Sequence, residues 1–179
     1  MLAMILAFGL AAGILVAVPM CLMVTYSEHG SAAQSYLVGY LTMMLALSLV
    51  FVGVKRYRDR EQGGVIRFWT ALGMGLGISA VAGVVYVIGW EITLALTDYA
   101  FVDSYAAAAI EAKRASGAAP AEIAKVAAEM ATFKLQYMNP WFRLPVTFVE
   151  IFPVGVVISL VSAALLRNSR FLPARPIPA

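Results

Sequence analysis

The sequence predicts an all-α integral membrane protein: a four-helix bundle with both termini in the cytoplasm and an extra-cytoplasmic helical hairpin between the third and fourth membrane helices. Two observations carry this prediction. The 179-residue chain is 62% hydrophobic and only 13% charged, which leaves too little polar surface for a soluble protein of this size. Its basic residues also cluster beside apolar segments, as they do at the cytoplasmic ends of membrane helices.

Four apolar segments are long enough to cross a bilayer, since a crossing helix needs about 20 residues for a hydrocarbon core of roughly 30 Å. They are residues 2–24, 36–54, 68–96 and 141–166, and together they predict one membrane domain over residues 1–179. The first segment is expected to be a retained helix. No Lys or Arg precedes Lys55, whereas a signal peptide begins with a basic region.

Two basic clusters predict the orientation of these helices. The loop at residues 55–67 holds five basic residues against Asp59 and Glu61, and the tail at residues 167–179 holds three against none. We expect both in the cytoplasm, in contact with anionic lipid headgroups and not with nucleic acid, because these residues adjoin helix ends. The residues assigned to this role are Lys55, Arg56, Arg58, Arg60, Arg67, Arg167 and Arg170.

Residues 97–140 are predicted to form two helices outside the cytoplasm. The first covers an Ala-rich stretch that ends at Ser116 and Gly117, and the second begins at Pro120. Apolar residues recur every three or four positions in the second helix, which predicts an amphipathic helix. These residues are Ile123, Val126, Met130, Phe133 and Tyr137. Their face is expected to pack on the bundle or the bilayer surface, and a partner site is the alternative.

The third crossing is rich in small residues at four-residue spacing, which lets another helix approach closely. We expect this face to pack inside the bundle, and a homodimer contact is the alternative. Its residues are Ala71, Gly73, Gly75, Gly77, Ser79 and Gly83.

Two acids fall inside apolar segments, where a charged side chain costs about 3 kcal/mol. Glu150 lies three residues before Pro153, which removes a helical hydrogen bond and bends the fourth crossing. Glu91 lies at a similar depth in the third crossing. If the two acids share a site, one keeps its proton, as in a proton relay or a cation site. Arg143, two turns before Glu150, offers the alternative of a structural clasp with Glu91.

The sequence holds no motif typical of an enzyme, a metal site or a cofactor site. Its one histidine, His29, is expected in a solvated loop. Its one cysteine, Cys21, has no partner for an internal disulfide and is expected to be inert packing. We therefore predict neither catalysis nor a bound cofactor.

Several of these segments resemble a known family. Residues 51–59 (Phe-Val-Gly-Val-Lys-Arg-Tyr-Arg-Asp), 86–92 (Tyr-Val-Ile-Gly-Trp-Glu-Ile) and 148–155 (Phe-Val-Glu-Ile-Phe-Pro-Val-Gly) look like the bacterial family catalogued as domain of unknown function 4199. The resemblance extends over nearly the whole chain. It implies a four-crossing protein of the bacterial inner membrane, and it brings no assigned activity, cofactor or catalytic residue.

Two functions stay open from the sequence. The first is a non-enzymatic accessory or assembly protein, which associates with itself or with another membrane complex through the small-residue face and the outer amphipathic helix. The second is an oligomeric proton- or cation-coupled transporter or channel, in which Glu150 and Glu91 carry the ion.

Overall fold

The structure, a computed structural model, describes residues 1–26 and 32–174, without the side chains of Tyr26 and residues 32–37. Within these residues the chain forms α-helices and no strand. The helices are α1 (Leu2–Tyr26), α2 (Ala32–Glu61), α3 (Phe68–Leu96), α4 (Ala100–Ala115), α5 (Pro120–Tyr137) and α6 (Pro140–Leu166). The predicted loop around His29 and the proline-rich end of the tail lie outside the described residues.

Four of the helices are long and apolar enough to cross a membrane. The candidate spans are Leu2–Thr25, Val38–Glu61, Phe68–Leu96 and Pro140–Leu166. This result confirms the prediction of an all-helical chain with four helices of crossing length. Many of their large apolar side chains are exposed, Leu2 and Leu45 among them, as expected of surfaces that contact lipid.

Helix α3 lies at the centre of the bundle and packs against both α1 and α6. Glycines make these contacts close. A Cβ added at Gly9 of α1 would lie 2.5 Å from the Val81 Cβ, and one added at Gly75 would lie 2.8 Å from the Ser159 Cβ. Because neither position tolerates a larger residue without movement, the backbones approach as small residues allow in membrane helices.

The small-residue face of α3 is used inside the chain. Ala71 is fully buried, Gly75 faces Ser159 of α6, and Gly83 faces Phe148 of the same helix. Gly77 faces α1. Gly73 differs, since no described atom lies within 4 Å of a Cβ placed there. The face is therefore occupied by neighbouring helices at all of these positions except Gly73.

The basic run belongs to a helix and not to a loop. Helix α2 continues to Glu61 and is followed by Gly63 and Gly64, whose φ angles of 61° and 88° favour glycine. Ion pairing between Lys55 and Asp59, one turn apart, supports the extension. We call this end of the bundle, where α2 and α6 end and α3 begins, the basic end. Its exposed residues include Arg56, Arg60, Arg67, Arg167 and Arg170.

Arg58 departs from the prediction that it contacts lipid headgroups, because its side chain is 0% exposed. Its Nε donates to Asp59 Oδ1 at 2.7 Å. Its terminal nitrogens donate to the backbone carbonyls of Phe171 at 2.9 Å and Leu172 at 2.5 Å, beyond the end of α6. Because the donor lies on α2 and the two carbonyls lie in the tail after α6, Arg58 ties the described part of the C-terminal tail to α2.

Helices α4 and α5 pack on each other, and the connection from α3 is tight. Asp98 and Tyr99 have positive φ angles of 47° and 60°, and the Tyr99 amide donates to the Leu94 carbonyl at 2.9 Å. This bond closes the end of α3 and reverses the chain. The apolar face of α5 lies against α4, with the Phe133 ring 5.9 Å from that of Tyr105. We call this opposite end of the bundle the α4–α5 end.

Candidate functional site

A cavity of about 620 Å³ lies between the α4–α5 pair and the bundle. All six helices contribute to its wall, which is mainly apolar and aromatic. Its volume falls in the range of roughly 300–1,000 Å³ that is usual for small-molecule sites. Its polar groups come from Tyr40, Thr42, Tyr86, Tyr137 and Glu150, among others. The cavity is therefore the candidate functional site.

Glu150 contributes the charge of this cavity. Tyr86 Oη of α3 donates to Glu150 Oε2 of α6 at 3.1 Å. Tyr86 is 2% exposed, whereas Glu150 is exposed and reaches the cavity. Among the described residues that line the cavity, Glu150 has the only charged side chain. An acid with one hydroxyl donor and no cation beside it retains capacity to accept further hydrogen bonds.

Glu91 forms a separate site with Arg143. Arg143 Nε and Nη2 donate to the two carboxylate oxygens of Glu91 at 2.7 and 2.6 Å. This bidentate geometry is the strongest arrangement available to such a pair. Arg143 is 3% exposed and the Glu91 side chain 30% exposed, so the pair is largely withdrawn from solvent. The structure thus joins Glu91 to Arg143 and leaves Glu150 with Tyr86.

Arg143 also attaches the α4–α5 pair to the bundle. Its Nη1 donates to the Tyr137 carbonyl, the last residue of α5, at 3.0 Å. Its guanidinium lies 5.3 Å from the centre of the Tyr99 ring, just before α4. One arginine on α6 therefore contacts α3, the start of α4 and the end of α5, and it holds the cover of the cavity in place.

A hydrogen bond between α3 and α5 also attaches the α4–α5 pair to the bundle. Trp90 Nε1 donates to Tyr137 Oη at 2.6 Å, and both side chains are buried. Burial raises the pKa of the Tyr137 phenol above its usual value, so the hydroxyl stays protonated and uncharged at neutral pH. The neutral hydroxyl accepts the hydrogen bond from Trp90.

The bundle is tightly packed between the cavity and the basic end. Leu47, Ile78 and Ala82 are each 0% exposed and belong to the main core. On α2, Val38 and Tyr40 line the cavity and are 52% and 51% exposed. The main core is therefore packed toward the basic end, and the cavity lies toward α4 and α5.

Pro153 and Gly39 occupy different positions relative to the cavity. Helix α6 runs continuously through Pro153, whose side chain is exposed and is not among the described residues that line the cavity. Gly39 of α2 lines the cavity, and no described atom lies within 4 Å of a Cβ placed there. A side chain at Gly39 would extend the wall without a clash with any described atom.

Sequence reasoning identified Glu150, Glu91 and Arg143 but missed the aromatic residues that complete their surroundings. Tyr86 and Trp90 lie on the same face of α3, one turn apart. An aromatic hydroxyl and an indole nitrogen inside an apolar segment need polar partners. The sequence therefore indicated that Tyr86 and Trp90 need hydrogen-bond partners, but it did not indicate which residues those partners are.

No group of three or more His, Cys, Asp or Glu side chains that could hold a metal ion occurs within the described part of the chain. Comparison with family models gives a match to the family described as "Protein of unknown function (DUF4199)" over residues 7–168. Neither the curated proteins nor the solved structures contain a match. The family match confirms the resemblance read from the sequence.

Proposed function

We propose that this chain, which belongs to the DUF4199 family, is a non-enzymatic membrane accessory protein that binds a small amphiphilic molecule beneath the α4–α5 pair. One observation carries the proposal. A cavity of about 620 Å³ combines an apolar, aromatic wall with a few polar groups. Preformed sites for small molecules have this composition, since apolar walls supply burial and sparse polar groups set orientation.

The attachment of the cover supports binding in a preformed site. Arg143 and Trp90 both connect the bundle to Tyr137 at the end of α5. A cover that is fixed before binding requires little ordering when a ligand arrives, which favours affinity. The exposed side chains of Val38 and Tyr40 line the cavity on α2, and entry from the bilayer past this helix fits their exposure.

The geometry favours ligand binding over association through the small-residue face and over ion transport by two acids. The small-residue face of α3 packs on α1 and α6, so it is a poor candidate for contact with a partner. A two-carboxylate ion carrier also fits poorly, because Glu91 is held by Arg143. The packed core around Leu47 and Ile78 separates the cavity from the basic end.

The proposal is tested by photo-crosslinking in lipid nanodiscs. The probe is dodecanol with a diazirine in its alkyl chain, and the labelled peptides are mapped by mass spectrometry. We expect labelling of the cavity wall on α1 near Met20 and on α4 near Ala100, beyond the labelling of exposed helix faces. Gly39→Phe should reduce the cavity labelling several-fold, because the phenyl ring occupies the binding space.

Gly73→Phe is the matched control. Both glycines have open space at the Cβ position, but Gly73 lies on α3 away from the described cavity wall. Its cavity labelling should equal that of the unmodified chain. If the Gly39→Phe variant is labelled in the cavity as strongly as the unmodified chain, the cavity does not bind the probe. An absence of cavity labelling in the unmodified chain would show the same.

The orientation belongs to the same proposal, with the basic end in the cytoplasm and the α4–α5 pair on the other side of the membrane. The exposed arginines at the basic end support it. Single cysteines at Arg60 and Lys125, placed in a Cys21→Ser chain, test it with a membrane-impermeant thiol reagent in intact cells. Labelling at Lys125 without labelling at Arg60 is expected, and the reverse pattern would invert the topology.

A further inference from the structure

We infer that the amphiphile bound in this cavity carries a cationic ammonium head, which pairs with the Glu150 carboxylate. This inference rests on the proposed function and adds the chemical class of the ligand. It starts from a difference between the two acids of the membrane segments. Glu91 already has a cation, Arg143, at 2.6 Å, whereas Glu150 has the Tyr86 hydroxyl at 3.1 Å.

The surroundings of Glu150 are suited to an incoming cation. No Lys or Arg occurs among the described residues of the cavity wall. A carboxylate facing an apolar cavity is costly unless it is paired. The hydrogen bond from Tyr86 accounts for one acceptor site, and a carboxylate offers about four. No described residue places a positive charge beside Glu150. A ligand ammonium would supply that charge.

Aromatic rings strengthen the preference for a cation. Tyr40, Tyr86 and Trp90 line the same cavity as Glu150, and so do Phe101, Tyr105, Phe133 and Tyr137. The faces of aromatic rings carry partial negative charge and attract ammonium groups, which is how aromatic cages bind choline-like ligands. An anionic head would meet the Glu150 carboxylate and these electron-rich rings, so the cavity disfavours it.

The apolar remainder of the cavity requires an apolar tail. Met20, Val24, Val102 and Ala108 contribute wall positions without charge. A small hydrated cation alone would leave these surfaces against water, whereas an alkyl or aromatic body would cover them. The combination of one acid, several ring faces and apolar walls points to an amphiphilic amine and not to an inorganic ion.

The test uses two probes that differ only in the head group. Both carry the same diazirine-bearing dodecyl chain, and one ends in a trimethylammonium group while the other ends in a hydroxyl group. Cavity labelling of the protein in nanodiscs is divided by labelling of exposed helix faces, which corrects for partition into lipid. We expect a preference for the ammonium probe of roughly tenfold, equivalent to about 1.4 kcal/mol.

Variants assign this preference to Glu150. Glu150→Gln keeps the shape of the side chain and removes its charge, so the preference should fall to about one. Glu150→Asp keeps the charge and should retain part of the preference for the ammonium probe. Gly73→Phe, outside the described cavity wall, should retain the whole preference.

The outcomes separate this inference from the function on which it rests. Equal labelling of the cavity by both probes would overturn the cationic head and leave the amphiphile site intact. Labelling by neither probe would overturn both proposals. Displacement of the ammonium probe by potassium ions, with the neutral probe undisturbed, would assign Glu150 to an inorganic cation and also overturn the inference.

Discussion

One arginine is buried at each end of the bundle, and the two donate to different acceptors. Arg58 at the basic end is 0% exposed and donates to backbone carbonyls of the tail that follows α6. Arg143 at the α4–α5 end is 3% exposed and pairs with the Glu91 carboxylate. Each attaches a segment outside the bundle, and at the α4–α5 end a cavity lies beneath the attached segment.

The residues between α3 and α6 also differ between the two ends. Toward the basic end, Gly75 meets Ser159 and Ser79 meets Gly155, so small residues from the two helices alternate. Their hydroxyls also hydrogen-bond, with Ser79 Oγ 3.3 Å from Ser159 Oγ. Toward the α4–α5 end, Tyr86 occupies the interface instead. Since side-chain size sets the distance between packed helices, the close approach of α3 and α6 toward the basic end follows from their composition.

The largest expected effect concerns the ion pair at the α4–α5 end. Arg143→Met leaves the Glu91 carboxylate largely buried without its cation, and we expect a loss of about 3 kcal/mol in the free energy of unfolding. Denaturant unfolding in mild detergent measures this loss. Replacing both partners by methionine should restore much of it, because no unpaired charge remains. A double variant as unstable as the single one would contradict a role for the pair.

The second prediction tests close packing at α3. Gly75→Leu places a side chain where a Cβ alone would lie 2.8 Å from the Ser159 Cβ, and overpacking of this kind costs about 2 kcal/mol. The same unfolding measurement is used. Gly73→Leu is the matched control, with no described atom within 4 Å of the Cβ position, and it should unfold like the unmodified chain. Equal stability of the two variants would rule out tight α3–α6 packing.

The third prediction concerns the tail at the basic end. Arg58→Met removes the donors to the Phe171 and Leu172 carbonyls, and the expected loss of stability is about 2 kcal/mol. Limited trypsin digestion should then cut faster after Arg170, because the tail is released from α2. Arg56→Met, an exposed neighbour on the same helix, is the control. Unchanged cleavage in the Arg58 variant would mean that other contacts hold the tail.

The smallest effect is expected at the second attachment of the α4–α5 pair. Trp90→Phe removes the donor to Tyr137 Oη but keeps an aromatic ring, so we expect a loss of about 1 kcal/mol in the free energy of unfolding. Trp69→Phe, at a residue 78% exposed, should have little effect. If the two variants unfold alike, the Trp90–Tyr137 bond does not stabilise the cover of the cavity.

The four apolar helices were predictable because bilayer thickness imposes a length and a composition that any window of sequence reveals. The end of α2 was not predictable, because its basic run resembled a loop. The run is helical in the structure, where Lys55 pairs with Asp59 and Arg58 is buried. Charge clustering predicts proximity to a membrane surface, but it does not distinguish Arg58, which faces the protein, from its neighbour Arg56.

The sequence by itself determined the class of the protein, the number of helices of crossing length and the family, because each depends on local composition or on residue order. It also marked Glu91, Arg143 and Glu150 as costly residues in apolar segments. Tertiary structure alone decided which acid received the arginine and which one faces a cavity. That choice depends on distances between α3 and α6, which arise from packing across the bundle and leave no pattern along the chain.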